Sequence, residues 1–441
     1  MGRYRLGIDF GTSGARAIAI DSQQAIVAES RVADLAETAD SWRSALVELI
    51  SQLPQEVRSN LSGIAINGTS STVLLCDAHG EVLLGPLMYD DARSIDSVPH
   101  IRSIAPAHHT VINATSSFAK FLWFQQQPEF EASAAFLHQA DWLAFLLHGR
   151  LGISDYHNAL KLGYDVEALC YPQWLLQSLT PEARSRLPQV RSPGSPVGPI
   201  QSQWCDRFSI PTDCLIHTGT TDSIAAFLAS GATHIGEAVT SLGSTLAIKL
   251  LSAKRIEDAR YGIYSHRLSH CLSLPSGDKL GQPTHDRWLV GGASNTGGAV
   301  LKSFFTSEQM IALSQQMNPQ QLTGLDYYPL LKPGERFPIN DPTLSPRLTP
   351  RPTDDRTFFQ GLLESMARIE AQAYQLLQTL GSSTLTHVYT AGGGAQNAPW
   401  QTMRSMAIGV PVTIALQTEA AYGTACLMTP HEDPERHALG I

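Results

Sequence analysis

The feature that most constrains this chain is a hairpin used twice. Leu6-Gly7-Ile8-Asp9-Phe10-Gly11-Thr12-Ser13-Gly14-Ala15-Arg16-Ala17-Ile18-Ala19-Ile20 reads as two short apolar strands joined by a Gly/Ser/Thr turn. Half a chain later, Glu237-Ala238-Val239-Thr240-Ser241-Leu242-Gly243-Ser244-Thr245-Leu246-Ala247-Ile248-Lys249-Leu250 repeats the order strand, small-residue turn, strand. Aliphatic and β-branched residues of this kind pack well in a sheet. Glycine lets the backbone of such a turn approach a ligand. Its N–H groups, with Thr12 and Ser13, suit phosphate oxygens as an anion-binding nest does. Asp9 stands beside them, placed to meet a Mg²⁺ ion that accompanies a nucleotide phosphate. One copy alone describes an ordinary hairpin equally well. Two copies suggest two similar domains whose turns face one another across a cleft that closes on a polyphosphate.

The totals agree with two domains, because 441 residues exceed what one compact core holds. Lys+Arg 31 against Asp+Glu 40 leaves a net charge of −9. That balance disfavours a broad nucleic-acid or anionic-membrane surface, since both reward a positive field. Cysteines at 76, 170, 205, 214, 271 and 426 form no CxxC pair, so no zinc ribbon or thioredoxin-like site is indicated. Scattered thiols fit a reducing compartment. The expected location is the cytoplasm, or the plastid stroma if a transit peptide was removed. No apolar run approaches the roughly 18 residues that span a bilayer.

Along the chain, Gln24–Ala28 extends the opening hairpin as a third strand, and a helix follows over Ser41–Gln52. Gly63–Asn67 is a short buried strand, followed by the hydroxyl-rich Gly68-Thr69-Ser70-Ser71. Residues from about 118 to 150 read as largely helical, and Ser192–Pro211 as loop. Leu215-Ile216-His217-Thr218-Gly219-Thr220-Thr221-Asp222 is a strand running into a helix, with Asp222 in its first turn. Further on, a helix starts at Ala299 and a long one covers about 357 to 380. His387–Ala391 is a strand that meets the triple glycine Gly392-Gly393-Gly394, and a helix opens after Asn397.

No GxxxxGK[ST], HExxH, GxSxG or EF-hand loop occurs. What remains is a distributed set of small-residue turns after strands: Asp9 with Gly11-Thr12-Ser13, then Asp222, Gly243-Ser244-Thr245, and Gly392-Gly393-Gly394 with Asn397. Their order resembles the actin-like ATPase arrangement. More specifically, the chain resembles the FGGY carbohydrate kinase family over nearly its whole length. The segments that carry the resemblance are Gly7–Ser13, Pro86–Arg93, Lys120–Trp123, Gly219–Asp222, Ser241–Thr245 and Gly392–Asn397. Within the family it is most similar to the short xylulose-kinase-like D-ribulose kinases of cyanobacteria and plants, on Asp9–Arg16, on Asn67–Thr72 and on its shortness.

The resemblance implies an α/β fold of two actin-like (ribonuclease H-like) domains with a nucleotide and sugar cleft between them. The expected boundaries are 1–229 for the N-terminal, sugar-side domain and 230–418 for the C-terminal, ATP-side domain. A C-terminal helix over about 419–441 is expected to pack on the first. The implied activity is ATP-dependent phosphorylation of a ketopentose. Asp222 is the implied general base for the sugar hydroxyl; as a plain structural residue it would serve the helix dipole. Asp9 orients the Mg²⁺–phosphate group and touches the sugar. Gly11, Thr12, Ser13, Gly243, Ser244 and Thr245 hold phosphates. Neither turn carries a lysine, so Mg²⁺ and amide dipoles are left to meet the charge. Gly393, Gly394 and Asn397 match the family's adenosine motif, Gly298 lines the far side, and Trp400 packs either on adenine or in the core. Thr69, Ser70 and Ser71 are the candidate sugar contacts; larger relatives carry bulkier polar residues there. Asp91 and Arg93 match a family Asp-x-Arg that reads as a structural ion pair.

Three classes of function stay open at this stage. The first is a sugar kinase, with D-ribulose as the leading substrate and D-xylulose or another polyol as the alternative. The second is a non-catalytic sugar-binding sensor on the same fold, which has no need of a general base. The third is an actin-like ATPase acting on protein partners. The expected partner is a small-molecule sugar, with no nucleic acid and no membrane; oligomeric state is not legible.

Overall fold

The computed structural model describes residues 2–12, 14–268 and 286–428. Its described residues fall into two compact units. One takes the residues up to 229 together with those from 419 onward, and the other takes 230 to 418.

The first unit is built on the opening hairpin. Strands Tyr4–Phe10 and Gly14–Ile20 pair antiparallel, and Ile26–Ala33 adds a third antiparallel strand. Leu61–Gly68 then lies parallel to Tyr4–Phe10, and Leu215–His217 lies parallel to Leu61–Gly68. The central strands are buried along nearly their whole length, as strands covered on both faces must be. Ile26–Ala33 alternates exposed positions with half-buried or buried ones and forms the sheet's edge. One face carries Trp42, Leu46, Leu49 and Ile50 of helix Ala39–Gln52. The opposite face carries helix Ala420–Cys426, which returns from the end of the chain to pack against Tyr4–Phe10 and Gly14–Ile20. Gly7 permits that approach. A Cβ there would stand 2.0 Å from the Ala421 carbonyl oxygen and 2.3 Å from the Ala425 nitrogen.

The second unit repeats the plan. Glu237–Leu242, Leu246–Ser252 and Trp288–Ser294 form an antiparallel meander. His387–Ala391 lies parallel to the first of these, and Val412–Ile414 parallel to His387–Ala391. Each sheet is therefore built around three antiparallel strands with parallel ones added beside the first, the ribonuclease H-like order that the family resemblance implies; Tyr264–Arg267 extends the second sheet antiparallel to Trp288–Ser294. Helix Asp355–Thr379 buries a long face against the second sheet.

Several local expectations are corrected. The stretch read as largely helical contains strand Ala135–His138, fully buried and paired with Val73–Cys76. A four-residue apolar run has too few residues to show a period. It is held in an aromatic cluster with Phe118, Phe121, Phe124 and Phe130. The stretch read as loop contains edge strand Pro196–Pro199 and helix Ser202–Phe208. Prolines fit an edge, where no ladder hydrogen bond is needed from them. The third strand of the opening meander is Ile26–Ala33, longer and later than Gln24–Ala28. The helix expected from Ala299 is a short one, Gly298–Lys302.

Candidate active site

Asp9 sits near the C-terminal end of strand Tyr4–Phe10. The register sets it opposite Arg16 across the hairpin and beside Asn67 on the parallel neighbour. Asp222 opens helix Asp222–Ala229, directly after the two-residue strand Thr220–Thr221. That strand pairs with Asn67 and Gly68. Asp9, on one strand beside Leu61–Gly68, and Asp222, on the helix that directly follows the strand on its other side, thus flank the same end of Leu61–Gly68. Burial pushes the Asp9 carboxyl up to about 7, helped by the charges of Asp222 and Glu419 and opposed by Arg16 and Asn67. Its Oδ1 is buried with no hydrogen-bond partner within the protein. Asp222 is anchored at its helix start, where the Ser223 N–H donates to Oδ1 at 2.6 Å. Just before it, Thr220 shares a 2.7 Å hydrogen bond with His157 Nδ1.

Two residues of this site escaped the sequence. Arg16 and Glu419 form an ion pair, and both act on Asp9. Strand register brings Arg16 to the face of Asp9, and the C-terminal helix brings Glu419. No local motif marks either. Gly11 closes the first turn by donating its N–H to the Gly14 carbonyl at 3.0 Å, and Thr12 is exposed. Ser13 lies outside the described residues.

The candidate sugar turn is more constrained than its composition suggests. Thr69 is buried; its hydroxyl meets Thr72 Oγ1 at 2.5 Å, and its N–H donates to Gln139 Oε1 at 3.0 Å. Ser71 has φ 66°, an uncommon backbone for a non-glycine residue. Its carbonyl accepts a 2.8 Å hydrogen bond from Lys120 Nζ, which also donates to the Met88 carbonyl. Lys120 is fully buried, and burial lowers its ammonium to about 8. The family-like Lys120–Trp123 segment therefore braces the turn. Ser70 is half-buried. Asp91 pairs with Arg93 at 2.8 Å, a structural ion pair as read. Around the strand ends, Asn67 Oδ1, Ser71 Oγ, Gln139 Nε2 and Thr221 Oγ1 join Asp9 Oδ1 as buried polar atoms without a protein partner. Such atoms are costly unless a ligand or water satisfies them.

The second unit holds a cavity of about 720 Å³. Gly243 and Ser244 of the second hairpin turn line it; Thr245 is exposed and does not. The turn is pinned to the next helix, since the Gly298 N–H donates to the Gly243 carbonyl at 2.9 Å and the Ala299 N–H to Ser244 at 3.1 Å. Gly298, Gly393, Gly394, Asn397 and Trp400 all line the cavity. Its apolar wall includes Leu301, Met310, Ile311 and Phe359. Asn397 is spent on architecture. Its Oδ1 accepts the Trp400 N–H at 3.0 Å, and its Nδ2 donates to Ser314 at 2.8 Å, tying together two helices that wall the cavity. Trp400 serves both readings: its Nε1 donates to the Leu363 carbonyl at 3.0 Å, it is buried, and it still faces the cavity.

The size suits a nucleotide, with an apolar wall for a flat base and glycine turns for phosphates. Among the described residues no three His, Cys, Asp or Glu gather as a metal cluster. Mg²⁺ needs only one or two carboxylates when phosphate oxygens and water complete its shell, so Asp9 fits that ion. No described helix is long and apolar enough to cross a membrane.

Paired ribonuclease H-like sheets, a carboxylate pair in one unit and a glycine-walled cavity in the other define an actin-like phosphotransferase class. Comparison with known proteins makes this specific. Residues 4–229 match the N-terminal domain of the FGGY family of carbohydrate kinases, and 266–429 match its C-terminal domain. The chain belongs to the FGGY family of carbohydrate kinases, and it is an ATP-dependent sugar kinase. It is 23% identical to an L-fuculokinase of Salmonella typhi, covering 96% of this chain and 91% of that one. It is equally 23% identical to a xylulose kinase of Bacillus subtilis, covering 96% and 87%. Its fold is similar to that of a xyloylose kinase from Brucella ovis, with TM-score 0.80 at 22% identity over 96% of this chain and 90% of that one.

Proposed function

We propose that the chain phosphorylates a ketopentose, D-ribulose, to D-ribulose 5-phosphate. The terminal hydroxyl of the sugar attacks the γ-phosphorus of ATP. A new O–P bond forms, the bond to the ADP oxygen breaks, and Asp222 takes the hydroxyl proton. Asp9 holds Mg²⁺, which neutralises phosphate charge when bound. The observation that carries this reading is the placement of Asp9 and Asp222 on either side of the end of Leu61–Gly68, ringed by unpartnered polar atoms of Asn67, Ser71 and Gln139. Those atoms suit the hydroxyls of a polyol. Gly243 and Ser244 contribute phosphate contacts, as do Gly11, Thr12 and Ser13. Gly298, Gly393, Gly394, Asn397 and Trp400 form the adenosine pocket.

D-Xylulose is the second reading, favoured by the names of several relatives. Coupled ADP release with D-ribulose, D-xylulose, L-fuculose, gluconate, glycerol and no sugar separates them. The expected result is the highest kcat/KM with D-ribulose. A higher value with D-xylulose overturns the substrate assignment. Equal ADP release without sugar, or sugar binding without turnover, overturns the kinase mechanism itself.

A further inference from the structure

Of the described residues that line the cavity of the second unit, one is charged. It is Lys302, at the last position of helix Gly298–Lys302. Its side chain is exposed, and among the described residues it makes no ion pair. Neither glycine turn carries a lysine, and Lys302 lies outside both. It reaches the cavity because its helix is pinned, through Gly298 and Ala299, to the Gly243–Ser244 turn. Most lysines at a helix end are solvated and serve the helix dipole. This one lines a cavity whose other described lining residues are uncharged.

We propose that Lys302 reads the charge of the nucleotide: its ammonium pairs with the phosphate oxygens, so that binding depends on the phosphates and not on the nucleoside alone. The inference rests on the cavity being the nucleotide site. An ammonium is a compact point charge with three donors, suited to phosphate oxygens that differ in position from one nucleotide to the next. Backbone amides of the glycine turns meet part of a phosphate's charge as partial dipoles. A full positive charge added to them strengthens the preference for nucleoside polyphosphates over the nucleoside.

Calorimetric titration of the full chain with adenosine and with ADP, both without Mg²⁺, tests this. Lys302→Met is expected to weaken ADP about tenfold, the order of one charge-assisted hydrogen bond at a partly exposed site. Adenosine affinity is expected to stay unchanged. Lys302→Arg should restore most of the ADP affinity, and raising the salt should weaken ADP binding less in Lys302→Met than in the native protein. Unchanged ADP affinity in Lys302→Met, or an equal loss for adenosine and ADP, overturns the proposal. Gly393→Leu checks the underlying site separately. A Cβ at Gly393 has nothing within 4 Å, so the side chain is accommodated while it occupies the cavity. It should abolish binding of both ligands. If both still bind with native affinity, the cavity is not the nucleotide site and the role of Lys302 falls with it.

Discussion

Asp9 carries its charge at a cost. Its carboxyl is buried, lies near two other carboxylates, and is pushed up to about 7. In the unfolded chain it would titrate near 4. Between those values the folded state holds a proton that the unfolded state has lost, so stability falls as pH rises through that window. The penalty is complete above about 7. A shift of this size corresponds to at most roughly 4 kcal/mol. Asp9→Asn removes the charge and should therefore melt higher than the native protein at pH 8, with the gap closing toward pH 4. Parallel melting curves across that range would contradict the assignment. In its proposed role the same carboxylate must ionise to hold Mg²⁺. Affinity for Mg²⁺ in the presence of ADP should rise with pH through about 7 and level off only above it, and Asp9→Asn should lose this dependence in a metal titration. At this scale the sequence was informative where candidate residues fall beside small-residue turns after apolar strands, and the structure places Asp9, Asp222 and Gly393 at such strand ends. The sequence was silent on Arg16, Glu419, Gln139 and Lys302. Each of these reaches its site through strand register or packing between distant segments, and ordinary charged or polar residues carry no mark of that.

Among the elements, two contacts hold the architecture that presents the sites. The first is the approach of helix Ala420–Cys426 to helix Asp222–Ala229, whose first residue is Asp222. A Cβ at Gly423 would stand 1.8 Å from the Ala225 carbonyl oxygen, and backbone cannot yield as a flexible side chain does. Gly423→Ala should destabilise by about 1–3 kcal/mol or more, on the scale of overpacking a core, and should lower turnover by shifting Asp222. Native melting temperature and native turnover in this variant would contradict the packing described. The second is a buried ion pair in the other unit. Glu370 of helix Asp355–Thr379 accepts from Arg404 Nε at 2.6 Å and Nη2 at 2.7 Å, and Arg404 Nη1 donates to Thr390 at 2.7 Å. Thr240, on the strand that leads to the Gly243 turn, also donates to Glu370. Glu370→Ala strands a buried guanidinium and should cost about 3–5 kcal/mol, read by denaturant unfolding. A loss below 1 kcal/mol would show that the pair is not what joins these elements. Helix Asp355–Thr379 itself was legible from its long amphipathic run, but its buried glutamate looks like any surface carboxylate in sequence. Strand Ala135–His138 was hidden because four buried residues between helices carry no period.

For the whole molecule, the repeated hairpin proved the most informative sequence feature, because a three-stranded meander with parallel strands added beside its first strand is a plan that one short turn can anchor. Gly11–Thr12 and Gly243–Ser244 occupy corresponding places in the two sheets, yet the units have diverged around them. The first surrounds its turn with carboxylates and unpartnered polar atoms, and the second with an uncharged cavity and a single lysine. The proposed function places acid–base work and sugar recognition in the first unit and the adenosine pocket in the second, with phosphate contacts from both. Its central claim is that Asp222 takes the proton of the sugar hydroxyl. Measuring turnover and ADP affinity together in Asp222→Ala tests it most directly. The account predicts a fall in kcat of about 10²–10⁴, the range for losing a general base, with ADP affinity within a factor of two of the native protein on the scale of ordinary surface changes. Native turnover in that variant would contradict it.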